Sequence, residues 1–82
     1  MVEKFHEVRV PKWGSTMTEA TIVRWHRSVG DTVIEGQQLL DLETDKIEAT
    51  VDAPASGILV EVCHQVGDSI PVGQLIALIG EP

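Results

Sequence analysis

A duplicated set of turn residues is the sequence feature that most constrains the fold of this chain. When the sequence is shifted by 37 residues, segment 29–33 (VGDTV) lies over segment 66–70 (VGDSI), and Gly36-Gln37 lies over Gly73-Gln74. Gly tolerates positive φ and Asp hydrogen-bonds its own backbone, so each Gly-Asp pair predicts a tight turn. Because the offset is constant, both halves use the same turns in the same order. Two copies are too few for a solenoid, and we predict two small sheets packed face to face about a pseudo-two-fold axis.

The segments between these turns have the alternation of short β-strands. From Ile47 to Ala53, apolar side chains alternate with Glu48, Thr50 and Asp52, which is the period of a half-buried strand. Glycines interrupt every window in which a helix could start, and β-branched residues dominate between them. We therefore predict an all-β fold of about eight strands, a flattened barrel or sandwich of two four-stranded antiparallel sheets. The predicted strands are 5–11, 20–27 with Val23 and Trp25 inward, 32–34, the two arms of a hairpin at 38–53, 58–63, 69–70 and 75–79.

The length of 82 residues predicts a single domain over residues 1–82, with its core at about 5–80. Residues 1–4 are expected to be a loose start, and residues 80–82 are expected to be the start of a linker or a plain end. Segment 12–19 has no hydrophobic period and is predicted to be a loop. Its Trp13 and Met17 either form a contact surface or fold back over one end of the core, and the sequence leaves both open.

Charge and composition exclude several classes of function. The hydrophobic fraction of 43% indicates a globular chain. The formal net charge of -7 argues against a nucleic-acid partner, which needs clustered Lys and Arg, and against docking on anionic lipid. No apolar run approaches the roughly 18–20 residues of a membrane span, and no signal-peptide pattern is present. The single cysteine excludes an internal disulfide and favours a reducing compartment.

The histidines and the cysteine do not form a catalytic or metal-binding set. His6, His26 and His64 have no metal-ligand spacing with one another, and only His64 is adjacent to Cys63. On the strand alternation, Cys63 is expected to be partly exposed or at an edge. His64 would point to the opposite face, so it is not expected to act as the base for a Cys63 nucleophile. We predict neither a metal site nor a catalytic residue.

The centre of the chain carries the candidate site. Thr44-Asp45-Lys46 lies between an apolar run and an alternating strand, so Lys46 is predicted at or beside the tip of a hairpin. In a pseudo-two-fold fold this hairpin is the midpoint, and the two termini should lie together at the far end. Glu43, Asp45 and Glu48 surround the amine with negative charge, which suits a handle that another protein grips and modifies. The alternative is an ordinary solvated turn lysine.

With these turns in place, the chain resembles the lipoyl domains of 2-oxo acid dehydrogenase complexes from about Val8 to Gly80. Segment 43–46 (ETDK) resembles the lipoyl-lysine turn, and its position at the centre of the doubled glycine pattern makes the match specific. Two residues depart from the family: Trp13 stands where smaller residues are common and Ala20 where glycine is common. Neither departure is expected to touch the lysine turn, but Trp13 is expected to affect which partner enzyme is recognised. The other matching segments are 10–14, 17–20, Trp25 with 29–31, Val33 and Gly36, 53–57, 67–68 and 71–73.

The resemblance implies a barrel-sandwich hybrid that carries lipoate on Nζ of Lys46 through an amide bond. Glu43, Thr44, Asp45 and Ile47 are then expected to contribute to recognition of the turn. The implied function is a swinging-arm carrier, not catalytic alone, within a dihydrolipoyl acyltransferase. The implied partners are a thiamine-dependent 2-oxo acid decarboxylase, the acyltransferase catalytic core, the flavin enzyme dihydrolipoamide dehydrogenase, and a lipoate ligase or lipoyl transferase. The domain itself is expected to be monomeric, in the bacterial cytoplasm or the mitochondrial matrix, and not secreted.

Three other functions stay open at this point. A biotinyl domain shares the architecture, but biotinyl turns typically have Met on both sides of the lysine, and here the neighbours are Asp45 and Ile47. A non-covalent module, such as a lipoyl-like hairpin domain of a membrane-transport adaptor, would have no reason to keep an exposed lysine between acidic residues. An isolated enzyme would need a nucleophile, a base and an orienting group, which the sequence does not offer as a set. The sequence fits both a free-standing carrier and part of a larger acyltransferase.

Overall fold

The chain folds into eight β-strands and the turns that connect them. The structure is a computed structural model, and it describes residues 4–81. No helix is present within these residues, and therefore none that could cross a membrane. The strands are β1 (Lys4–Arg9), β2 (Glu19–Trp25), β3 (Thr32–Val33), β4 (Gln38–Glu43), β5 (Glu48–Asp52), β6 (Gly57–Val62), β7 (Ser69–Pro71) and β8 (Leu75–Glu81).

Each sheet draws two strands from each half of the chain. One sheet has the order β1-β8-β6-β3 and the other has the order β5-β4-β2-β7, with all neighbours antiparallel. Exchanging the first four strands with the last four converts one order into the other, which is the predicted pseudo-two-fold symmetry. Both sheets keep two edge strands, so the sandwich is not closed into a true barrel. The prediction of two four-stranded antiparallel sheets is confirmed.

The duplicated glycines form the turns that join the two halves. Gly30 and Gly67 have φ values of 98° and 96°. The N–H of Gly30 donates to the carbonyl of Leu59 at 2.8 Å, and the N–H of Gly67 donates to the carbonyl of Ile22 at 2.8 Å. Each turn is therefore bonded to a strand of the other half, β6 in one case and β2 in the other. Glycine is needed here because residues with a Cβ are strained at such φ values.

The aspartates that follow these glycines stabilise the two turns by hydrogen bonds to the backbone of the same turn. A carboxylate oxygen of Asp31 accepts from the N–H of Ser28 at 2.8 Å, and one of Asp68 accepts from the N–H of Gln65 at 2.9 Å. In return, the N–H of each aspartate donates to the carbonyl of that same partner at 3.0 Å. The bonds repeat at the offset seen in the sequence, so the two halves do use the same turn chemistry.

Aliphatic side chains fill the space between the two sheets. Within residues 4–81 no polar or charged residue is buried, so the core is stabilised by removing apolar surface from water, at about 25 cal/mol per Å². Trp25 packs against the margin of this core. The largest fully buried side chains are those of Ile22, Leu39, Leu40, Leu42, Leu59, Ile70, Ile76, Ile79 and Val33.

Val23 does not face the core, and its predicted inward position is wrong. Its side chain is 37% exposed, whereas the preceding Ile22 is buried. The pairing of β2 with β4 shifts register between Ile22 and Arg24, which marks a β-bulge, and a bulge changes which side chains point inward. Trp25, after the bulge, does pack against the core as predicted. The sequence alternation assumed an unbroken pleat.

The two ends of the described chain are paired strands. Lys4 pairs with Glu81, and Phe5 pairs with Gly80. The expectation of a loose start is therefore wrong for Lys4, and Gly80 and Glu81 extend the last strand instead of starting a linker. Residues 1–3 and 82, on which the same expectations fall, lie outside the described residues. The ends meet in the sheet that does not contain the predicted central hairpin.

Other strand ends differ from the prediction by one or two residues. β1 stops at Arg9, before Pro11, and β2 covers Glu19–Trp25 instead of 20–27. β7 includes Pro71, one residue beyond the predicted strand 69–70. Proline is tolerated there because β7 is an edge strand and one side of its backbone needs no partner.

We expect Gly30→Val and Gly67→Val each to lower the free energy of unfolding by about 1–3 kcal/mol, because valine is strained at positive φ. Urea denaturation followed by circular dichroism measures the change. Gly14→Val is the matched control, because Gly14 does not have positive φ and a Cβ built there meets no atom within 4 Å. Unchanged midpoints in both turn variants, or an equal loss in the control, would contradict the turn assignment.

Candidate functional site

Lys46 lies in a short connection between two antiparallel strands. Residues 44–47 join β4 to β5, and the strand pair nearest to this connection is Glu43 with Glu48. The predicted central hairpin is therefore present. Glu43, Asp45, Lys46 and Glu48 are all exposed. None of the ion pairs found within residues 4–81 involves Lys46, so its amine is presented to solvent without a fixed carboxylate partner.

Thr44 holds the connection in shape. Its N–H donates to the carbonyl of Ile47 at 2.7 Å. Its Oγ1 accepts from the N–H of Lys46 at 3.2 Å and from the N–H of Ile47 at 3.1 Å. A threonine hydroxyl that bonds backbone groups two or three residues further on is a known way to stabilise a tight turn. Thr44 therefore positions the backbone of Lys46. The hydroxyl of Thr44, a residue predicted to contribute to recognition, also stabilises the turn.

A group of three polar side chains supports the same hairpin further from the tip. Asp41 of β4 lies opposite Thr50 of β5, and its Oδ1 accepts from Thr50 Oγ1 at 2.7 Å. His26, after β2, brings its Nε2 to 3.0 Å from the same oxygen. The hydrogen bonds from His26 and from Thr50 lower the pKa of Asp41 below its ordinary value. Charge-assisted bonds of this kind hold β4, β5 and the end of β2 in register.

An open groove lies beside the hairpin tip and reaches Lys46. We call it the tip groove; it has a volume of about 630 Å³ and is lined by residues 13–14, 16–19, 21 and 43–47. Trp13 and Met17 are half-buried, pack against the core and also line this groove. The two alternatives that the sequence left open for these residues are thus found together. Apolar surface from the loop therefore lies beside Lys46.

The remaining sequence candidates lie outside this site. Cys63 is exposed, as expected. Partial desolvation of its thiol, and to a smaller extent the negative charge of Glu61, raise the pKa of that thiol. The ring of His64 faces Asp68, with Nδ1 at 3.7 Å from the carboxylate, and its carbonyl accepts from Nε1 of Trp25 at 3.2 Å. Within residues 4–81, no group of three or more His, Cys, Asp or Glu is placed to hold a metal ion.

Sequence reasoning missed the support given by His26 and Asp41. His26 follows β2, Asp41 lies in β4, and no sequence motif connects them. Only the pairing of β2 with β4 brings the two side chains together. The tip groove had a partial signal, since Trp13 and Met17 were identified as apolar residues in a loop. Nothing in the sequence indicated that this loop lies beside the central hairpin.

Comparison with known proteins gives a consistent result. Residues 6–79 match the biotin–lipoyl family model, which is described as biotin-requiring enzyme. The chain is 39% identical over 80 residues to the dihydrolipoyllysine-residue acetyltransferase component of the acetoin cleaving system of Pseudomonas putida, with 98% of this chain and 22% of that protein covered. It is 43% identical over 75 residues to the dihydrolipoyllysine-residue succinyltransferase component of the 2-oxoglutarate dehydrogenase complex of Staphylococcus saprophyticus, with 92% and 18% covered.

A solved structure shows the same architecture. The lipoyl domain of the 2-oxoglutarate dehydrogenase complex from Azotobacter vinelandii superposes with a TM-score of 0.76 at 28% sequence identity, and the match covers 92% of this chain and 95% of that chain. The two curated relatives above are much longer, and this chain spans about a fifth of their length. The likeness is therefore to one small domain of those relatives.

We expect Thr44→Val to loosen the hairpin tip, because the N–H groups of Lys46 and Ile47 lose their side-chain acceptor. Amide hydrogen exchange at these two residues should become faster, with a loss of about 0.5–1.5 kcal/mol in stability. Thr44→Ser should keep the slow exchange, since serine offers the same oxygen. Thr32→Val, an exposed threonine of β3, is the control. Unchanged exchange at residues 46 and 47 in Thr44→Val would rule out this task for the hydroxyl.

Proposed function

The chain belongs to the biotin–lipoyl family, and on that premise we propose that it is a lipoyl carrier domain whose Lys46 bears lipoate through an amide bond. The observation that carries the proposal is the exposed amine of Lys46 on a four-residue connection that Thr44 holds in shape. The relatives named above are dihydrolipoyllysine-residue acyltransferase components, which favours lipoate over biotin. Asp45 and Ile47 beside the lysine favour the same cofactor.

The residues present fit the attached group. A modifying enzyme must reach Nζ of Lys46, and the side chain is exposed with no ion pair among those found in residues 4–81. The hydrogen bonds of Thr44 to Lys46 and Ile47 restrain the lysine backbone, which lowers the conformational freedom lost on binding. The tip groove leaves open space beside the amine for an attached chain.

Attachment forms one bond and breaks one. Nζ of Lys46 attacks the carboxyl carbon of an activated lipoyl donor that the ligase supplies, the amide bond forms, the activating group leaves, and the amine loses a proton to solvent or to the ligase. The product has no charge at Nζ. The bound group supplies a disulfide that can be reduced and a thiol that can carry an acyl group. The protein residues only hold and present it, and the domain is not catalytic alone.

The relatives support a proposal for the place of the domain in a larger assembly. They are components of acetoin-cleaving and 2-oxoglutarate dehydrogenase systems, and we propose that this domain serves a 2-oxo acid dehydrogenase complex of the same kind. Its proposed partners are the thiamine-dependent decarboxylase, the acyltransferase core, dihydrolipoamide dehydrogenase and a lipoate ligase or lipoyl transferase. A tethered arm raises the effective concentration of its end at each active site. The bacterial cytoplasm or the mitochondrial matrix is the compartment that we propose.

We expect the intact mass of the protein to rise by one lipoyl group when it is incubated with a lipoate ligase, ATP and lipoate. Lys46→Arg should abolish the gain, because arginine offers no amine that can form this amide. Lys12→Arg is the matched control, since Lys12 is exposed but lies in the loop before β2. Incubation with a biotin ligase, ATP and biotin should give no gain. A mass gain in Lys46→Arg, or modification by biotin alone, would overturn the assignment.

We also expect the carboxylates next to Lys46 to be recognised by the enzymes that act on the arm. The double variant Glu43→Gln, Asp45→Asn should be lipoylated and reductively acylated roughly 10-fold more slowly at low salt, because charge complementarity mainly raises the rate of association. The difference should shrink as salt is added. The control is Glu35→Gln, Asp52→Asn, which removes two exposed carboxylates outside the tip groove. Equal rates for both double variants would exclude a recognition role for Glu43 and Asp45.

A further inference from the structure

The pseudo-two-fold symmetry of the fold is broken beside Lys46. The connection from β1 to β2 has nine residues, 10–18, whereas the equivalent connection from β5 to β6 has four, 53–56. The extra residues of the longer connection include Trp13 and Met17, which line the tip groove together with the hairpin connection. The shorter connection contributes nothing to this groove. The longer connection therefore forms this groove on the side of the fold that contains the lysine.

The longer connection is fixed in place by backbone hydrogen bonds at both ends. The N–H of Val10 donates to the carbonyl of Gln74 at 3.1 Å, and the carbonyl of Val10 accepts from the N–H of Gly73 at 3.0 Å. At the other end, the carbonyl of Thr18 accepts from the N–H of Val72 at 3.0 Å. Both ends are thus bonded to segment 72–74. The groove wall formed by this connection is held in shape before any ligand arrives, which lowers the entropic cost of binding.

The middle of the same connection has its own contacts. The N–H of Met17 donates to the carbonyl of Gly14 at 3.1 Å, and the N–H of Trp13 lies 3.4 Å from the sulfur of Met17. These contacts close a compact turn that brings Trp13 and Met17 together. In the hairpin connection, Ile47 also lines the groove and is 44% exposed, although it is a large apolar residue. The groove lining thus combines an aromatic and a thioether side chain from the β1–β2 connection with an aliphatic side chain from the hairpin connection.

We propose that the tip groove is the resting site of the lipoyl arm on Lys46, with the indole of Trp13 as the contact of its dithiolane ring. This rests on the proposed lipoylation and adds a site on this chain for the arm. Lys46 itself lines the groove, so the arm enters it from its own attachment point. The volume of about 630 Å³ is within the range of roughly 300–1,000 Å³ found for small-molecule sites.

The lipoyl arm in amide linkage suits the groove better than free lipoate, which carries a carboxylate. Amide formation removes the carboxylate of lipoate, which Glu19, Glu43 and Asp45 at the groove would repel. What remains is an aliphatic chain that ends in two sulfur atoms. Apolar chains gain from leaving water, and sulfur makes favourable contacts with aromatic rings. Polar residues also line the groove and limit the apolar contact that the arm can make there. The arm therefore leaves the groove when a partner active site binds it more tightly.

Tryptophan fluorescence tests the proposal, because the disulfide of the oxidised ring quenches an indole that it touches. The chain has two tryptophans, and Trp25 is outside the groove, with its Nε1 bonded to the carbonyl of His64. Trp25→Phe leaves Trp13 as the only emitter, and Trp13→Phe leaves Trp25. We expect lipoylated Trp25→Phe to lose part of its emission relative to the unmodified protein, and lipoylated Trp13→Phe to lose none.

Reduction should reverse the loss. Excess dithiothreitol opens the ring to two thiols and is itself oxidised to a cyclic disulfide, so the emission of lipoylated Trp25→Phe should recover. The unmodified protein with the same reagent controls for any effect on Cys63. Nuclear Overhauser contacts between the arm methylenes and the Trp13 indole protons give a second readout that needs no substitution. Equal emission of the lipoylated and unmodified Trp25→Phe proteins, with no such contacts, would overturn the proposal.

The intact mass of each sample distinguishes a failure of the groove proposal from a failure of the proposed lipoylation. Every protein is first shown to carry one lipoyl group on Lys46, and a protein that carries none counts against the function and not against the groove. Circular dichroism melting of Trp13→Phe checks that the variant is folded. If a lipoylated protein shows quenching of Trp25 equal to that of Trp13, the arm has no preferred site and the groove assignment is wrong.

Discussion

The positive φ of the turn glycines is the constraint on which the rest of the structure depends. At Gly30 and Gly67 the chain turns so that an N–H reaches a carbonyl of the opposite half. This exchange interleaves the halves, because each sheet contains two strands from both of them. Neither half can bury its aliphatic face alone, and the core forms only when both halves are assembled. β4, which leads to Lys46, is an inner strand of the assembled sheet, between β5 and β2.

The features that suit a carrier lie where the pseudo-symmetry fails. Around the two-fold axis, the β4–β5 hairpin corresponds to the pairing of β8 with β1, where the two ends of the described chain meet. The hairpin has a covalent connection at its tip, and that connection carries Lys46. The longer β1–β2 connection then adds Trp13 on the same side. A symmetric scaffold supplies rigidity, and two local departures from symmetry supply the amine and the groove beside it.

Sequence and structure agree at the turns and disagree where strands are paired. The Gly-Asp turns could be predicted because φ preference and side-chain bonding belong to single residues. The orientation of Val23 could not, because the β-bulge that breaks its alternation with Trp25 is a property of β2 and β4 together. The pairing of β6 with β8 has the equivalent register shift between Leu59 and Glu61, so a β-bulge interrupts the alternation at the same place in both halves.

The sequence by itself determined the all-β class, the doubled turns and the lysine at the midpoint of the chain. These features depend on local backbone preference, on the period of the side chains and on covalent order. All three are properties of the amino-acid sequence itself. Only the tertiary structure decided that His26 reaches Asp41 and that Trp13 lies beside Lys46. These neighbours are far apart in the sequence, and they meet because the register of β2 against β4 and the bonds of segment 72–74 place their backbones together.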